Sequence, residues 1–324
     1  LQAVHKHIGV ITSGGDAPGM NSAVRGVVRT ALAHDAAVTG YYRGYEGILT
    51  GDSVPLTSRS VGGIINQGGT ILRSARSKEF RSEAGRSRAA AILRRAGVEG
   101  LVVIGGDGSL SGAKILEDET GIPCVGVPGS IDNDVAGTDF SIGFDTAVNT
   151  AVEGIDKLRD TAYSHERIFV VEVMGRRNGF IAVEAALAGG AEAVLIPEVP
   201  YDLAQICEQL RQGAERGKKS CIIIVAEGVG RASDIGSFIE KATGHDVRCL
   251  VLGHMQRGGA PTAFDRALAL RMGAYAAERL ITGHSGEMVA IQGGEMVSVP
   301  IDVAITGERQ IDPARLALVS RMAQ

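Results

Sequence analysis

His7-Ile8-Gly9-Val10-Ile11-Thr12, followed by Ser13-Gly14-Gly15-Asp16-Ala17-Pro18-Gly19 and then by residues 21–34, decides the fold class. The first piece is short and β-branched, which suits a strand, and the second is glycine-rich, which suits a tight turn. In the third, Val24, Val27, Val28, Ala31 and Leu32 recur at helical spacing, while Arg25 and Arg29 share a different face. Strand, glycine turn and amphipathic helix follow one another.

The same unit recurs down the chain. Residues 37–42 read as a second strand, and residues 43–81 as an irregular glycine-rich loop carrying Arg73, Arg76 and Arg81. A helix over about 84–96 leads to a strand at 100–104, which Gly105-Gly106-Asp107-Gly108-Ser109 closes before a helical stretch to about 119. Residues 122–127 form another apolar run, ending in Pro128-Gly129-Ser130-Ile131-Asp132-Asn133-Asp134, with helical spacing again at 146–159. Further apolar runs at 167–173, 193–196, 220–226 and 247–252 alternate with helical stretches near 179–188, 203–216, 233–243 and 261–281. Runs that are continuous rather than alternating belong to strands covered on both faces, the mark of a parallel sheet. The sequence predicts an α/β protein of two doubly wound, Rossmann-like, three-layer αβα domains with mostly parallel sheets.

With 324 residues, 44% of them hydrophobic, the chain can bury a substantial core. The formal net charge of -4 supplies no global basic field, so nucleic acid is not an expected partner and any anion site must be a local cluster of Arg and Lys. Cys124, Cys207, Cys221 and Cys249 are far apart without a CxxC pair and read as buried reduced thiols. No apolar run reaches the ~20 residues that span a bilayer, and residues 1–7 lack a signal-peptide core. A cytoplasmic protein with no membrane partner is the expectation.

The turns at 12–19 and 105–109 would let backbone N–H groups converge on an anion beside a helix amino terminus, the geometry that holds phosphate. Neither is a GxxxxGK[ST] loop or a GxGxxG fingerprint, and either alone fits a plain βα turn. Asp107 adds chemistry, because a carboxylate in a phosphate turn calls for a divalent cation between the two, as with nucleotide-bound Mg²⁺. The run 128–134 places two carboxylates two residues apart after a strand; alone it too fits an ordinary turn. Arg176, Arg248, His254 and Arg257 follow apolar runs and are expected to converge at strand carboxyl ends, with Glu227 in the matching position as an acceptor. Donors beside an acceptor suggest a sugar phosphate.

Five motifs in one order and spacing carry a family resemblance over nearly the whole chain: GVITSGGDAPGM at 9–20, GGDGS at 105–109, PGSIDND at 128–134, VEVMGR at 171–176 and GHMQRGG at 253–259. The chain resembles the bacterial-type, ATP-dependent 6-phosphofructokinases. The resemblance implies that Asp132 takes the proton from the sugar 1-hydroxyl, that Ser130, often Thr in the family, contacts the transferring phosphate, and that Asp107 engages Mg²⁺. Asp134 is expected to orient the base or the metal's water shell. Gly15, Tyr45, Arg76, Ser77, Arg81, Gly106, Gly108 and Ser109 match ATP-side positions, Arg76 placed to neutralise charge on the transferred group. Ile131, Arg167, Met174, Gly175, Arg176, Glu227, Arg248, His254, Met255, Gln256 and Arg257 match the fructose 6-phosphate site, Arg176 also counting among the catalytic residues. In the family the equivalents of Arg167 and Arg248 come from a neighbouring subunit, and the usual assembly is a homotetramer. The implied ATP-binding domain covers 1–142 and about 256–305, and the fructose 6-phosphate domain 143–255 and about 306–324.

Pyrophosphate-using members tend to carry Asp where Gly108 stands and Lys where Gly129 stands, so two glycines imply ATP. Arg25, Arg29, Arg159, Glu192, Arg216, Lys218 and Lys219 match an effector site for ADP or phosphoenolpyruvate, shared between subunits. Ser58, with Arg59 beside it, departs from the effector-site Arg of many members. NAD and lipid kinases also use a GGDG turn, but their folds leave the other four motifs unexplained. A pyrophosphate-dependent enzyme and a non-catalytic nucleotide sensor are the remaining alternatives. The second is opposed by the joint presence of Asp107, Asp132 and Asp134.

Overall fold

A computed structural model describes residues 4–165, 167–218 and 220–323. In chain order the elements are β1 (His7–Thr12), α1 (Met20–Ala33), β2 (Ala37–Tyr41), α2 (Tyr45–Thr50), β3 (Ser53–Leu56), α3 (Glu83–Arg95), β4 (Gly100–Gly105), α4 (Asp107–Thr120), β5 (Cys124–Pro128) and α5 (Phe144–His165). There follow β6 (Ile168–Val173), α6 (Phe180–Gly189), β7 (Ala193–Leu195), α7 (Leu203–Glu215), β8 (Cys221–Ala226), α8 (Ala232–Thr243), β9 (Val247–Val251), α9 (Ala263–Ile281), β10 (Glu287–Gln292), β11 (Glu295–Pro300), α10 (Ile301–Thr306) and α11 (Pro313–Met322). The chain divides into two compact units, one reaching Thr146 and resuming over Arg257–Arg309, the other comprising Ala147–Gln256 and the segment from Gln310.

In the first unit seven strands run in the order β11-β10-β5-β4-β1-β2-β3. The five from β10 to β2 are parallel, and the antiparallel β3 and β11 close the edges. On one face Ile11, Leu101, Val103 and Met288 pack with Leu93, Leu110 and Leu116 from α3 and α4. On the other, Val10, Val102 and Val125 are fully buried, and α1 and α9 pack against the sheet. Each fully buried aliphatic side chain contributes about 1.5–3 kcal/mol, which is why continuous apolar runs become central strands. Helices α1 and α9 meet backbone to backbone: a Cβ on Gly273 would stand 2.2 Å from the Ala23 carbonyl oxygen, so only glycine fits.

The second unit has four parallel strands in the order β7-β8-β6-β9. Ile168, Val170, Ile223 and Val225 pack there with Cys207 and Leu210 of α7 and with Ile235 and Ile239 of α8. The fold is therefore α/β with two mostly parallel sheets.

Three local readings change. The loop 43–81 contains α2, β3 and a short 3-10 turn at Glu79–Arg81; the segments are too short for a hydrophobic period to show. The β10–β11 hairpin turns on Gly293 and Gly294, both with positive φ (58° and 92°), as a two-residue hairpin turn requires. Cys249 is exposed on the edge strand β9, with its Sγ turned toward α8 and donating to the Ala232 carbonyl at 3.2 Å; Cys124, Cys207 and Cys221 are buried. Burial pushes the Cys221 thiol up to about 11, which keeps it neutral and inert. Among the described residues no helix is long and apolar enough to cross a membrane.

Candidate active site

In the first unit β1 and β4 are neighbours, so the turns that follow them are neighbours too. A Cβ on Gly14 would stand 3.1 Å from Ser109 Oγ, and one on Gly105 only 2.4 Å from the Ser13 carbonyl oxygen, so the turns touch through positions that admit no side chain. Tyr45, at the start of α2, donates its hydroxyl to the Ser109 carbonyl at 2.7 Å and stacks on Phe80 with ring centroids 3.9 Å apart. Burial raises the Tyr45 pKa, so the phenol stays a neutral donor. Phe80 carried no sequence signal.

The loop before α3 is fastened to these turns. Thr12 Oγ1 donates to the Arg73 carbonyl at 2.8 Å, Ser74 Oγ donates to the Gly14 carbonyl, and Asn21 Oδ1 accepts from the Ile71 N–H at 2.7 Å. Arg76 and Arg81 are exposed in this loop, and Ser77 Oγ accepts from the Phe80 N–H at 3.3 Å. Arg257, which sequence reasoning gave to the sugar side, donates from Nη1 to the Asp16 carbonyl at 3.1 Å, beside Gly15.

Asp107 is the first residue of α4, exposed, with Oδ1 accepting from the Gly108 N–H at 2.7 Å. No group of three or more His, Cys, Asp or Glu among the described residues could hold a metal ion. One exposed carboxylate at a helix start suits Mg²⁺ that arrives with nucleotide phosphates and keeps several waters. Nothing lies within 4 Å of a Cβ built on Gly108, so the space over this helix start is open.

The acid turn leaves β5 beside this site. Gly129 N–H donates to the Gly105 carbonyl at 3.0 Å, and a Cβ on Gly106 would stand 3.8 Å from Ser130 Cβ. Asp132 is only 2% exposed, and its N–H donates to Ser130 Oγ at 3.3 Å. Ser130 Oγ in turn donates to Asp134 Oδ1 at 3.1 Å. Ile131 is fully buried, so it offers the turn its backbone rather than its side chain. Asn133 has φ 54° and accepts on Oδ1 from the Ser141 N–H at 2.9 Å, while Ser141 Oγ donates to the Ser130 carbonyl at 2.6 Å. Asp265 on α9 accepts from the N–H groups of Gly143 and Thr146 and from the Thr146 hydroxyl, fixing the first turn of α5. Burial pushes its carboxyl up to about 6 against those three donors. Asn133 lay within the 128–134 motif without a role of its own, and Ser141 and Asp265 were missed for want of any local pattern.

In the second unit Met174, Gly175 and Arg176 follow β6, Gly175 with φ 148° and Arg176 with φ 56°. Glu227, just past β8, accepts on Oε1 from the N–H of Arg176 at 2.6 Å and of Gly175 at 3.2 Å. Gln256 is fully buried, accepting from the Met174 N–H at 2.8 Å, whereas His254 and Met255 are at least partly exposed. Arg248 does not join Arg176 and Glu227 at the carboxyl ends. It is the second residue of β9, paired with Phe169 near the start of β6, and parallel strands put that at the opposite end of the sheet. There Arg167 Nε donates to Asp246 Oδ2 at 2.7 Å and Arg248 Nη2 to the same carboxylate at 3.1 Å. Asp246 is a partner the sequence did not announce.

The basic residues form two groups. In the first unit Arg25 donates to the Val61 carbonyl at 2.5 Å and Arg29 to the Ser58 carbonyl at 3.1 Å. In the second, Glu192 lies 3.3 Å from Lys218 and 4.0 Å from Arg159, which donates to the Gly189 and Gly190 carbonyls. Arg216 caps the end of α7 and Lys219 lies outside the described residues.

The sequence profile of the Phosphofructokinase family matches residues 7–280. The chain is 59% identical over 292 residues to the ATP-dependent 6-phosphofructokinase of Bacillus pumilus, covering 90% of this chain and 91% of that one. It is 54% identical over 318 residues to the protein of the same name from Bacillus licheniformis, covering 98% and 99%. Phosphofructokinase from Saccharomyces cerevisiae superposes with a TM-score of 0.87 at 36% identity, over 93% of this chain and 45% of that longer one. With such a match over most of its length, this chain belongs to the phosphofructokinase family.

Proposed function

We infer that this chain is an ATP-dependent 6-phosphofructokinase, transferring the γ-phosphate of ATP to the 1-hydroxyl of fructose 6-phosphate in glycolysis. The observation that carries the reading is the abutment of two turns in one unit: Gly106–Ser109 for the donor phosphates and Ser130–Asp134 for the base, with a Cβ on Gly106 only 3.8 Å from that of Ser130. Phosphoryl transfer through a loose transition state asks mainly for alignment and charge neutralisation, and adjacent turns provide the alignment.

Asp132 accepts the proton of the sugar 1-hydroxyl as the new phosphate ester forms. Ser130 touches the transferring phosphate, and Asp134 holds the Ser130 hydroxyl in register. Arg76 and Arg81 supply positive charge from a loop tied to the nucleotide turn. Asp107 is the residue that would hold Mg²⁺, which when bound neutralises donor phosphate charge. The first unit is the nucleotide half. The second recognises fructose 6-phosphate through Met174, Gly175, Arg176 and Glu227, with Glu227 shaping the turn as well as accepting from the sugar.

Arg167 and Arg248 serve the site of a neighbouring copy in a homotetramer, as their place at the amino end of the sheet favours. Arg25, Arg29, Arg159, Glu192, Arg216, Lys218 and Lys219 contribute to effector sites for ADP or phosphoenolpyruvate that are shared between subunits of the assembly. The test of the whole reading is ATP-dependent formation of fructose 1,6-bisphosphate with and without Mg²⁺. Activity lost on chelation and restored by Mg²⁺ supports it; turnover with pyrophosphate but not ATP, or ATP binding without turnover, overturns it.

A further inference from the structure

We propose that Arg309, which follows α10 and belongs to none of the five motifs, is a positioning residue for the acid turn. Its guanidinium forks between two main-chain carbonyls, Nη1 donating to the Asn133 oxygen at 2.8 Å and Nη2 to the Asp139 oxygen at 2.5 Å. Asn133 is the residue between the two carboxylates of the turn, and the inference rests on the reading of Asp132 as base.

The turn needs holding. Asn133 has φ 54°, a left-handed conformation that Asn tolerates better than other non-glycine residues but that still costs energy unless its surroundings hold it. Part of that support comes from nearby chain, through the Asn133 and Ser141 side chains. Arg309 alone among these bonds reaches the turn from far along the sequence, and it grips the carbonyl of Asn133 itself. The peptide that carries this oxygen leads into Asp134, so its orientation sets where the partner of Ser130 stands and how Asp132, one residue back, is presented. The same guanidinium fixes the far side of the loop through Asp139, turning two strands of chain into one rigid bracket.

Arginine suits the task and lysine does not, because a planar fork can satisfy two carbonyls at a set separation while an ammonium is a point charge. Electrostatics agree with the geometry: burial lowers the pKa of Arg309, and the carboxylates of Asp139 and Asp134 oppose that fall. Arg309 thus places a partly desolvated positive charge behind the turn without being assigned to either substrate.

The test compares wild type, R309A and R309K as full-length protein in the coupled assay for fructose 1,6-bisphosphate, with melting temperature recorded for each. R309A is expected to lose kcat at least about tenfold with both KM values within about threefold, and millimolar guanidinium is expected to restore part of the loss. R309K is expected to stay several-fold below wild type with a normal melting temperature, and carries the test if R309A does not fold. Wild-type kcat in either folded variant overturns the proposal, as does a loss shared equally between kcat and KM with no guanidinium rescue. Inactive wild type, or active D132N, would instead remove the assignment of the base, and the two failures are told apart.

Discussion

Ser130 donates its hydroxyl to the Asp134 carboxylate at 3.1 Å, which separates the two acids of the turn. Asp134 is engaged in aligning a neighbour, and the proposed reading gives the proton to Asp132. Asp132→Asn is therefore expected to lower kcat by about 10²- to 10⁴-fold while calorimetry still detects both substrates. Asp134→Asn keeps a partner for Ser130 and should cost much less. Equal losses in the two variants would contradict the division of roles.

Gly108 sits in the first turn of α4, and a side chain added there would meet nothing within 4 Å of its Cβ. Gly108→Asp is therefore expected to change stability by no more than about 0.5 kcal/mol, an acid being favourable at a helix start. Placed against donor phosphates, the same charge should raise the KM for ATP at least about tenfold. Unchanged ATP kinetics in a folded variant would detach donor choice from this position.

Asp246 holds both Arg167 and Arg248 at the amino end of the second sheet. If these arginines complete a neighbour's site, Arg248→Ala and Asp132→Asn damage different halves of a shared site. Dissociating the two variants and reassembling them together should restore activity that neither parent shows. No recovery in verified hybrid tetramers would place Arg248 in its own chain's site or outside any.

Asp265 is buried and titrates at about 6, above its ordinary 3.8. A carboxyl with a raised folded-state pKa binds its proton more tightly in the folded protein. Its contribution is fully present below about 3.8 and is lost as pH rises through about 6. The stability of wild type relative to Asp265→Asn should therefore fall by on the order of 3 kcal/mol between pH 4 and 7. Denaturant unfolding across that range checks it, and a difference that stays flat would mean the carboxyl titrates normally.

The parts of the molecule that repeat locally were legible. Strand, glycine turn and helix announce themselves within about twenty residues, and 7–34 and 100–119 are placed by the structure as their periodicity predicts. Turns at the ends of adjacent parallel strands come together without further information, which is how 105–109 and 128–134 met. Bonds that span the sequence were not legible: Asp265 to Gly143, Asp246 to two arginines, and Arg309 to Asn133 leave no spacing to read. The expected convergence of Arg248 with Arg176 failed because a residue's end of the sheet depends on where its strand begins, which an apolar run marks poorly. The Gly293-Gly294 hairpin was readable and overlooked.

The open space over Gly108 bears on how such an enzyme can change over generations. Several glycines near the phosphate turns, Gly44 and Gly105 among them, are locked by backbone within three ångströms of any added Cβ, so altering them threatens the fold before it alters chemistry. Gly108 has no such neighbour. If donor choice rests on this position as proposed, preference for one phosphate donor over another can drift there while folding remains intact, and selection on metabolism acts with little interference from selection on stability.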